Sequence, residues 1–234
     1  MLNKGQRSSW ITLFFCSGPL FYKSSWLSCL DNYRYYVMEN SSDKIESVLG
    51  DMSRYVNLSH EEKELIISKF EIRKLGKKQY LILEEQTGED IYFVRSGCVC
   101  MYAINERGAK HVLQFGTSGC WITDLDYFED GDNSLYRLQA IEDTELEILS
   151  KANYDELMDR IPLFERYFRQ ILEKKCAGSI QKIALLMCTS AEERFTRFCA
   201  TFPDFVQKVP QYVLAEILGF TPQFLSMLRG KIKR

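Results

Sequence analysis

Residues 211–230, QYVLAEILGFTPQFLSMLRG, decide how the chain is read, because they place two short helical patterns on either side of a glycine. Pro210 has no backbone N–H to lose and suits a helix start, so the residues from Gln211 to Leu218 follow as one helix. Leu214, Ile217 and Leu218 share a face of it, and Ala215 leaves room for a second helix to cross closely. Gly219 ends the helix by accepting a left-handed conformation, and Phe220 plugs the corner. Thr221 then offers a capping hydroxyl and Pro222 a first helical position, so a second helix begins. Leu225 and Leu228 turn inward together. Gln223, Ser226, Met227 and Gly230 are left facing outward, the arrangement of a helix that enters the major groove of a duplex.

Charge points the same way. Beyond residue 204, Lys208, Arg229, Lys231, Lys233 and Arg234 stand against Glu216 alone, although the whole chain has a formal net charge of -2. A basic end of this kind is what phosphate requires. Thr221, Gln223, Ser226, Met227, Arg229 and Lys231 are the candidate DNA contacts, carried on a helix-turn-helix scaffold of Ala215, Gly219, Leu225 and Leu228.

The chain has 234 residues, 46% hydrophobic and 26% charged, enough for two small domains with globular cores. Its cysteines, Cys16, Cys29, Cys98, Cys100, Cys120, Cys176, Cys188 and Cys199, are scattered, and no pair has the two-residue gap of a zinc ribbon. They read as reduced cytosolic thiols, with no metal expected, and Cys98 and Cys100 share one face of a strand as small hydrophobes. Residues 1–37 look foreign to the rest. Their apolar run, from Trp10 to Tyr22, is broken by Gly18 and Pro19 and is too short to span a bilayer, so no membrane partner is expected. They are expected to be a non-native or disordered leader, with the natural start at Met38.

Residues 38–160 read as a roll of short strands. Ser59 with Glu62 makes a capping box, and short apolar or alternating runs follow at 80–83, 91–94, 99–104, 112–115, 138–141 and 146–149. Turn signals stand between them, among them Gly76, Gly88, Gly97, Gly108, Gly119 and Gly131. Over 161–188 the period changes to three and four. Ile161, Phe164, Phe168, Leu172, Cys176, Ile180, Ile183 and Met187 form one stripe on a helix about 40 Å long, more than one small roll can cover. Phe164, Phe168, Leu172, Ile180 and Ile183 are the candidate contacts with a second copy, with burial against the chain's own domain as the other reading. Lys174, Lys175 and Gly178 interrupt the seam. Ser190 with Glu193 is a second capping box and opens the DNA-reading domain, 189–234.

This order of parts resembles the catabolite activator and FNR (Crp-Fnr) superfamily, in the branch common in Bacteroidetes-type bacteria, over roughly residues 42–234. The likeness is carried by IYFVRSG at 91–97, GCWI at 119–122, FEDG at 128–131, AIED at 140–143, AEERF at 191–195 and LGFTP at 218–222. It implies an α+β fold: a cyclic-nucleotide-binding-type β-roll (jelly roll), a long dimerisation helix and a C-terminal winged helix-turn-helix. It also implies a cytoplasmic, homodimeric transcription regulator whose partners are double-stranded DNA and RNA polymerase.

The phosphate-binding cassette departs from that pattern. Family members that bind cyclic AMP carry Gly-Glu before the cassette helix and Arg-Ser or Arg-Thr after it, and the matching positions here are Thr123 and Asp124, then Ser134 and Leu135. Asp124 suits a ribose hydroxyl, Leu135 offers a phosphate nothing, and Arg137 would substitute only if the loop were rebuilt. The pocket of Asp124, Ser134, Leu135 and Arg137 is therefore expected to be degenerate. Its effector is unknown and is not expected to be cyclic AMP; a cyclic-nucleotide-responsive regulator remains the alternative. No cofactor is expected, since the N-terminal cysteines are not clustered as in iron–sulfur sensors, and His60 and His111 do not read as haem ligands. On the second helix, Pro222, Gln223 and Met227 stand where the catabolite activator presents arginine, glutamate and arginine. An enzyme of the cupin type would need paired histidines, and the sequence has no His-x-His, so no enzyme is expected. A β-roll interaction module that does not bind DNA is the remaining alternative.

Overall fold

A computed structural model describes residues 47–82, 90–125, 128 and 136–232; the expected leader, 1–37, lies outside the described residues. Among the described residues two helices come first, α1 (Val48–Met52) and α2 (His60–Ser68). Ser59 and Glu62 close a full capping box at the start of α2, each side chain holding the other's backbone N–H. The strands are β1 (Glu71–Leu75), β2 (Tyr80–Ile82), β3 (Asp90–Ser96), β4 (Cys98–Ile104), β5 (Lys110–Thr117), β6 (Trp121–Ile122), β7 (Arg137–Ala140) and β8 (Thr144–Ser150). They form two antiparallel four-stranded sheets, β1-β8-β3-β6 and β2-β7-β4-β5.

The runs IYFV in β3 and CVC in β4 do not alternate because both faces of their sheets are covered. Val94, Val99, Leu138, Leu146 and Ile148 fill the space between the sheets. On the outer side of the first sheet, Ile91, Phe93, Trp121 and Leu149 meet the helices. On the outer side of the second, Cys98, Cys100, Tyr102 and Val112 meet the C-terminal unit. Gly97 joins β3 to β4 with φ +89°, and a Cβ there would stand 2.5 Å from the Asp143 carbonyl oxygen, so only glycine fits.

Helices follow: α3 (Lys151–Arg160), α4 (Pro162–Cys188), α5 (Ala191–Thr201), α6 (Pro203–Lys208), α7 (Gln211–Leu218) and α8 (Pro222–Ile232). Ile161, preceding a proline, is extended (φ -127°, ψ 94°) and separates α3 from α4. The long helix thus starts one residue later than the stripe suggests and runs for 27 residues.

Its first turns are clamped to the roll. Phe164 and Phe168 are 0% and 5% exposed, and Phe168 stands 4.8 Å from the ring of Trp121 and 5.0 Å from that of Tyr154. These two positions therefore cannot face a second copy, which corrects the reading of the stripe: they are enclosed by the chain's own aromatic core. Beside them the Trp121 indole N–H donates to the Tyr167 hydroxyl at 2.7 Å, and that hydroxyl donates to Asp51 Oδ2 at 2.5 Å. Farther along, Leu172, Ile180, Ile183 and Met187 are 39%, 62%, 56% and 80% exposed.

The C-terminal unit is helical throughout its described residues. Ser190 caps α5 by accepting from the Glu193 N–H, while the Glu193 carboxylate turns to Arg197 instead of closing the box. The unit sits on the second sheet around Phe115, whose ring stacks on Phe205 at 4.5 Å and meets Phe202 edge-on at 5.7 Å.

Replacing Tyr167 with phenylalanine leaves the Asp51 carboxylate and the Trp121 indole without their shared partner. A loss of about 1–3 kcal/mol in urea unfolding is expected. An unchanged midpoint would deny this hydroxyl its clamping role.

Candidate nucleic-acid interface and effector cavity

The pair α7 and α8 is built by local capping. Gly219 adopts φ +71°, ψ 33°, and the Phe220 N–H reaches back to the Ala215 carbonyl at 2.8 Å. The Thr221 hydroxyl accepts the Phe224 N–H at 3.2 Å and starts α8. Ala215, Leu225 and Leu228 are buried at the crossing of the two helices. Gln223, Ser226 and Met227 are exposed on α8, Thr221 is exposed at its cap, and Arg229 is half-buried near its end. Lys231 is exposed and stands 3.4 Å from Glu192 of α5. The six candidate contacts thus lie on one short helix or at its cap. Sequence reasoning missed Arg194 of α5, whose guanidinium lies 5.1 Å over the Phe220 ring and braces the turn.

A cavity of about 600 Å³ opens between α4 and the roll. Its roll side includes Met101, Leu113, Cys120, Trp121 and Thr123, and its helix side includes Ile171, Leu172, Lys174, Lys175, Gly178 and Lys182. A slot of about 50 Å³ with Phe128, Tyr154 and Phe168 in its walls adjoins it and shares Trp121 and Lys175. Lys174 Nζ donates to the Tyr55 hydroxyl at 2.9 Å and lies 4.5 Å over that ring. Lys182 Nζ donates to the Leu113 carbonyl at 2.5 Å, and burial lowers its pKa. Burial lowers Lys175 further, to about 8. The Cys120 thiol on the opposite wall is pushed up by burial.

Of the four residues expected to form a degenerate effector pocket, Asp124 and Arg137 fall within the described residues. Asp124 is buried between the wall residues Thr123 and Leu125, and its backbone carbonyl accepts the Phe128 N–H at 3.0 Å. Ser134 and Leu135 lie outside the described residues. Arg137 is a correction. Leu138 points between the sheets, so strand alternation turns Arg137 to the outer face, where it pairs with Tyr102 and hydrogen-bonds its side chain. The guanidinium therefore faces away from the cavity. Sequence reasoning also missed Lys182 as a wall residue, while Lys174, Lys175 and Gly178, the breaks in the apolar seam, are the signal that marks the cavity.

Among the described residues no three or more His, Cys, Asp or Glu side chains group as metal ligands. His60 lies exposed 3.3 Å from Glu64, and His111 Nε2 is 2.9 Å from Asn105. No helix of the described residues is long and apolar enough to cross a membrane.

Comparison with known proteins fits this geometry. Residues 72–161 match the family model of the cyclic nucleotide-binding domain. The chain is similar to the cyclic AMP receptor protein of Thermus thermophilus, 26% identical over 137 residues, which covers 58% of this chain and 63% of that protein's length. It is also similar to the fumarate and nitrate reduction regulatory protein of Vibrio cholerae, 23% identical over 175 residues, covering 69% of this chain and 68% of that one. Among solved structures, the c-di-GMP responsive global regulator CLP of Xanthomonas campestris shares the fold with TM-score 0.63 at 16% identity, covering 75% of this chain and 92% of that one.

Lys175 sets a pH dependence of stability. Between about 8 and 10.5 the unfolded chain keeps a proton on this amine that the folded chain has lost, so stability rises with pH across that window. Lys175→Met is expected to unfold at higher urea than the unsubstituted protein at pH 7, with the gap closing as pH approaches 10.5. A gap that does not change with pH would place this amine in water.

Proposed function

We propose, on the premise that this chain belongs to the Crp-Fnr superfamily, that it is a transcriptional regulator that binds double-stranded DNA as a homodimer and answers to an effector other than cyclic AMP. The observation that carries this reading is the pair α7 and α8, with Gln223, Ser226 and Met227 exposed on a helix whose far end holds Arg229 and Lys231. In a major groove the Gln223 amide suits the N6 and N7 edge of adenine, and Met227 packs on a thymine methyl. Arg229 and Lys231 grip phosphates and set register without reading sequence. The regulatory character of the Vibrio cholerae relative supports the assignment.

The exposed stripe of Leu172, Ile180, Ile183 and Met187 supports self-association along α4, the helix that leads to the DNA-reading unit. Two copies related by a twofold axis would present their α8 helices to half-sites about 34–36 Å apart, so the site is near-palindromic. An effector other than cyclic AMP follows from the cassette. Leu135 offers no side-chain donor to a phosphodiester, and Arg137 faces the other side of its strand.

Fluorescence anisotropy with duplex fragments at varied salt tests this reading. Replacing Arg229 and Lys231 with alanine removes four phosphate contacts from a dimer, so the salt slope is expected to flatten by about 3 to 4 and affinity to fall on every sequence. Gln223→Ala should instead cost about 1–3 kcal/mol at one base pair. An unchanged slope, or a Gln223→Ala loss that is equal on all sequences, contradicts the assigned roles. For self-association, Ile180→Glu with Ile183→Glu is expected to sediment as a monomer, and a dimer that survives both changes would remove α4 as its seam.

A further inference from the structure

We infer that Cys98 and Cys100 form a two-thiolate site for a soft monovalent cation of the copper(I) class, set between the roll and the DNA-reading unit. The inference goes beyond the regulatory reading and does not rest on it. Both residues lie on the outer face of β4, while Val99 between them turns into the roll core. They are 4% and 1% exposed and share one apolar cluster with Phe195 and Phe198 of α5. The Cys98 thiol is in hydrogen-bonding contact with that of Cys100, so the two sulfur atoms converge before any ion arrives. The strand that carries them is held on both sides. The Cys98 N–H donates to the Thr144 hydroxyl at 3.2 Å and its carbonyl accepts the Ile141 N–H at 2.8 Å, while Cys100 pairs with Phe115 of β5 and Gln139 of β7.

Spacing decides which chemistry the pair suits. Residues two apart on a strand have their Cα and Cβ atoms about 6.7 Å apart. A disulfide needs Cβ atoms about 3.5–4.5 Å apart, so oxidation to one would have to buckle a strand paired on both edges. A cation held linearly between two sulfurs asks only that they stand about 4.5 Å apart, twice a typical metal–sulfur bond, and side chains leaning toward each other reach that from an undistorted strand. Zinc asks for four ligands, and no third His, Cys, Asp or Glu among the described residues completes a set. Thiolates alone, with no hard oxygen ligand, select copper(I). Binding is an exchange without change of oxidation state: two S–H protons leave to solvent, two metal–sulfur bonds form, and the bridged pair keeps one negative charge. Lys182 stands within the field of a Cys100 thiolate and supplies the opposite charge. The contact with Cys100 and burial push the Cys98 thiol up, so only an ion with high affinity for sulfur displaces its proton. Tyr212 of α7 also lies within the field of Cys100, which puts the site against the first helix of the DNA-reading pair.

Anaerobic titration of the full chain against the coloured copper(I) complex of bicinchoninate tests the inference. One copper(I) per chain is expected to be withdrawn. Cys98→Ala and Cys100→Ala should each remove that uptake, and Cys176→Ala with Cys188→Ala, on the exposed side of α4, should leave it. X-ray absorption at the copper edge of the unsubstituted protein is expected to show two sulfur neighbours. Slow maleimide labelling of the same protein, mapped by mass spectrometry, should be retarded by copper(I) at Cys98 and Cys100 and not at Cys176, a readout that needs no variant to fold. No withdrawal from bicinchoninate, uptake that survives either single substitution or is lost with Cys176 and Cys188, a third metal ligand, or unchanged labelling of Cys98 and Cys100 overturns the inference. None of these measurements contains DNA, so the regulatory reading stands or falls apart from them.

Discussion

The Tyr167 hydroxyl, held between the Trp121 indole and the Asp51 carboxylate, joins three parts of the chain that are far apart in sequence. Asp51 belongs to α1, Trp121 to β6 and Tyr167 to α4, so one buried oxygen fixes α1, the roll and the long helix in a single geometry. A neutral donor facing a buried carboxylate is costly to lose, because the carboxylate, with Arg54 3.7 Å from its other oxygen, would lose its short bond while staying desolvated. Around this point Phe164 and Phe168 seal the helix to the roll. Beyond it, α4 is no longer in aromatic contact with the first sheet, and the cavity begins where Ile171, Lys174 and Lys175 replace the aromatic side chains. The clamp thus defines both where the helix is rigidly held and where a space is left beneath it.

The second sheet ties the roll to the DNA-reading unit. Its inner face is part of the roll core, while its outer face shares one apolar cluster with Phe198, Phe202, Leu214 and Leu218. Phe115 on β5 is central, with Phe198 of α5, Phe205 of α6 and Phe202 between those helices around it, and it also stands in the cavity wall. The cavity is therefore bounded by a residue that touches the DNA-reading unit and by the helix proposed to pair with a second copy. A ligand that shifts either wall has a short physical route to the placement of α8, which is what a coupling free energy between sites requires.

Much of the fold could be read from the chain because local signals agreed with the global one. The capping hydroxyls of Ser59, Ser190 and Thr221 and the left-handed Gly219 each act within four residues, so their outcome does not depend on distant packing. β1 and β6 were hidden for opposite reasons. The sequence EIRKL in β1 is mostly exposed and lacks an apolar run, and β6 has only two residues, whose pairing with β3 is a tertiary fact. The stripe on α4 reports burial but not the partner, so it could not divide Phe164 and Phe168, buried in their own domain, from Ile180 and Ile183, left open. Arg137 misled because proximity in sequence says nothing of which face of a strand a side chain takes, and one residue reverses it.

The lysines of α4 show what a break in a periodic pattern can mean. On a helix built only for a zipper, Lys174, Lys175 and Gly178 would weaken the seam and gain nothing. Beside a cavity they are two cations and a gap in one wall, and the stripe resumes with Ile180 and Ile183 after the cavity's central turn. A ligand in the cavity and pairing of two helices through Leu172, Ile180 and Ile183 would then act on the same turns of helix. Each would restrict the motions that the other must also restrict, so the second event would cost less ordering entropy than the first. By linkage the preference runs both ways: a ligand that favours the pair is bound more tightly by it, and by the same factor.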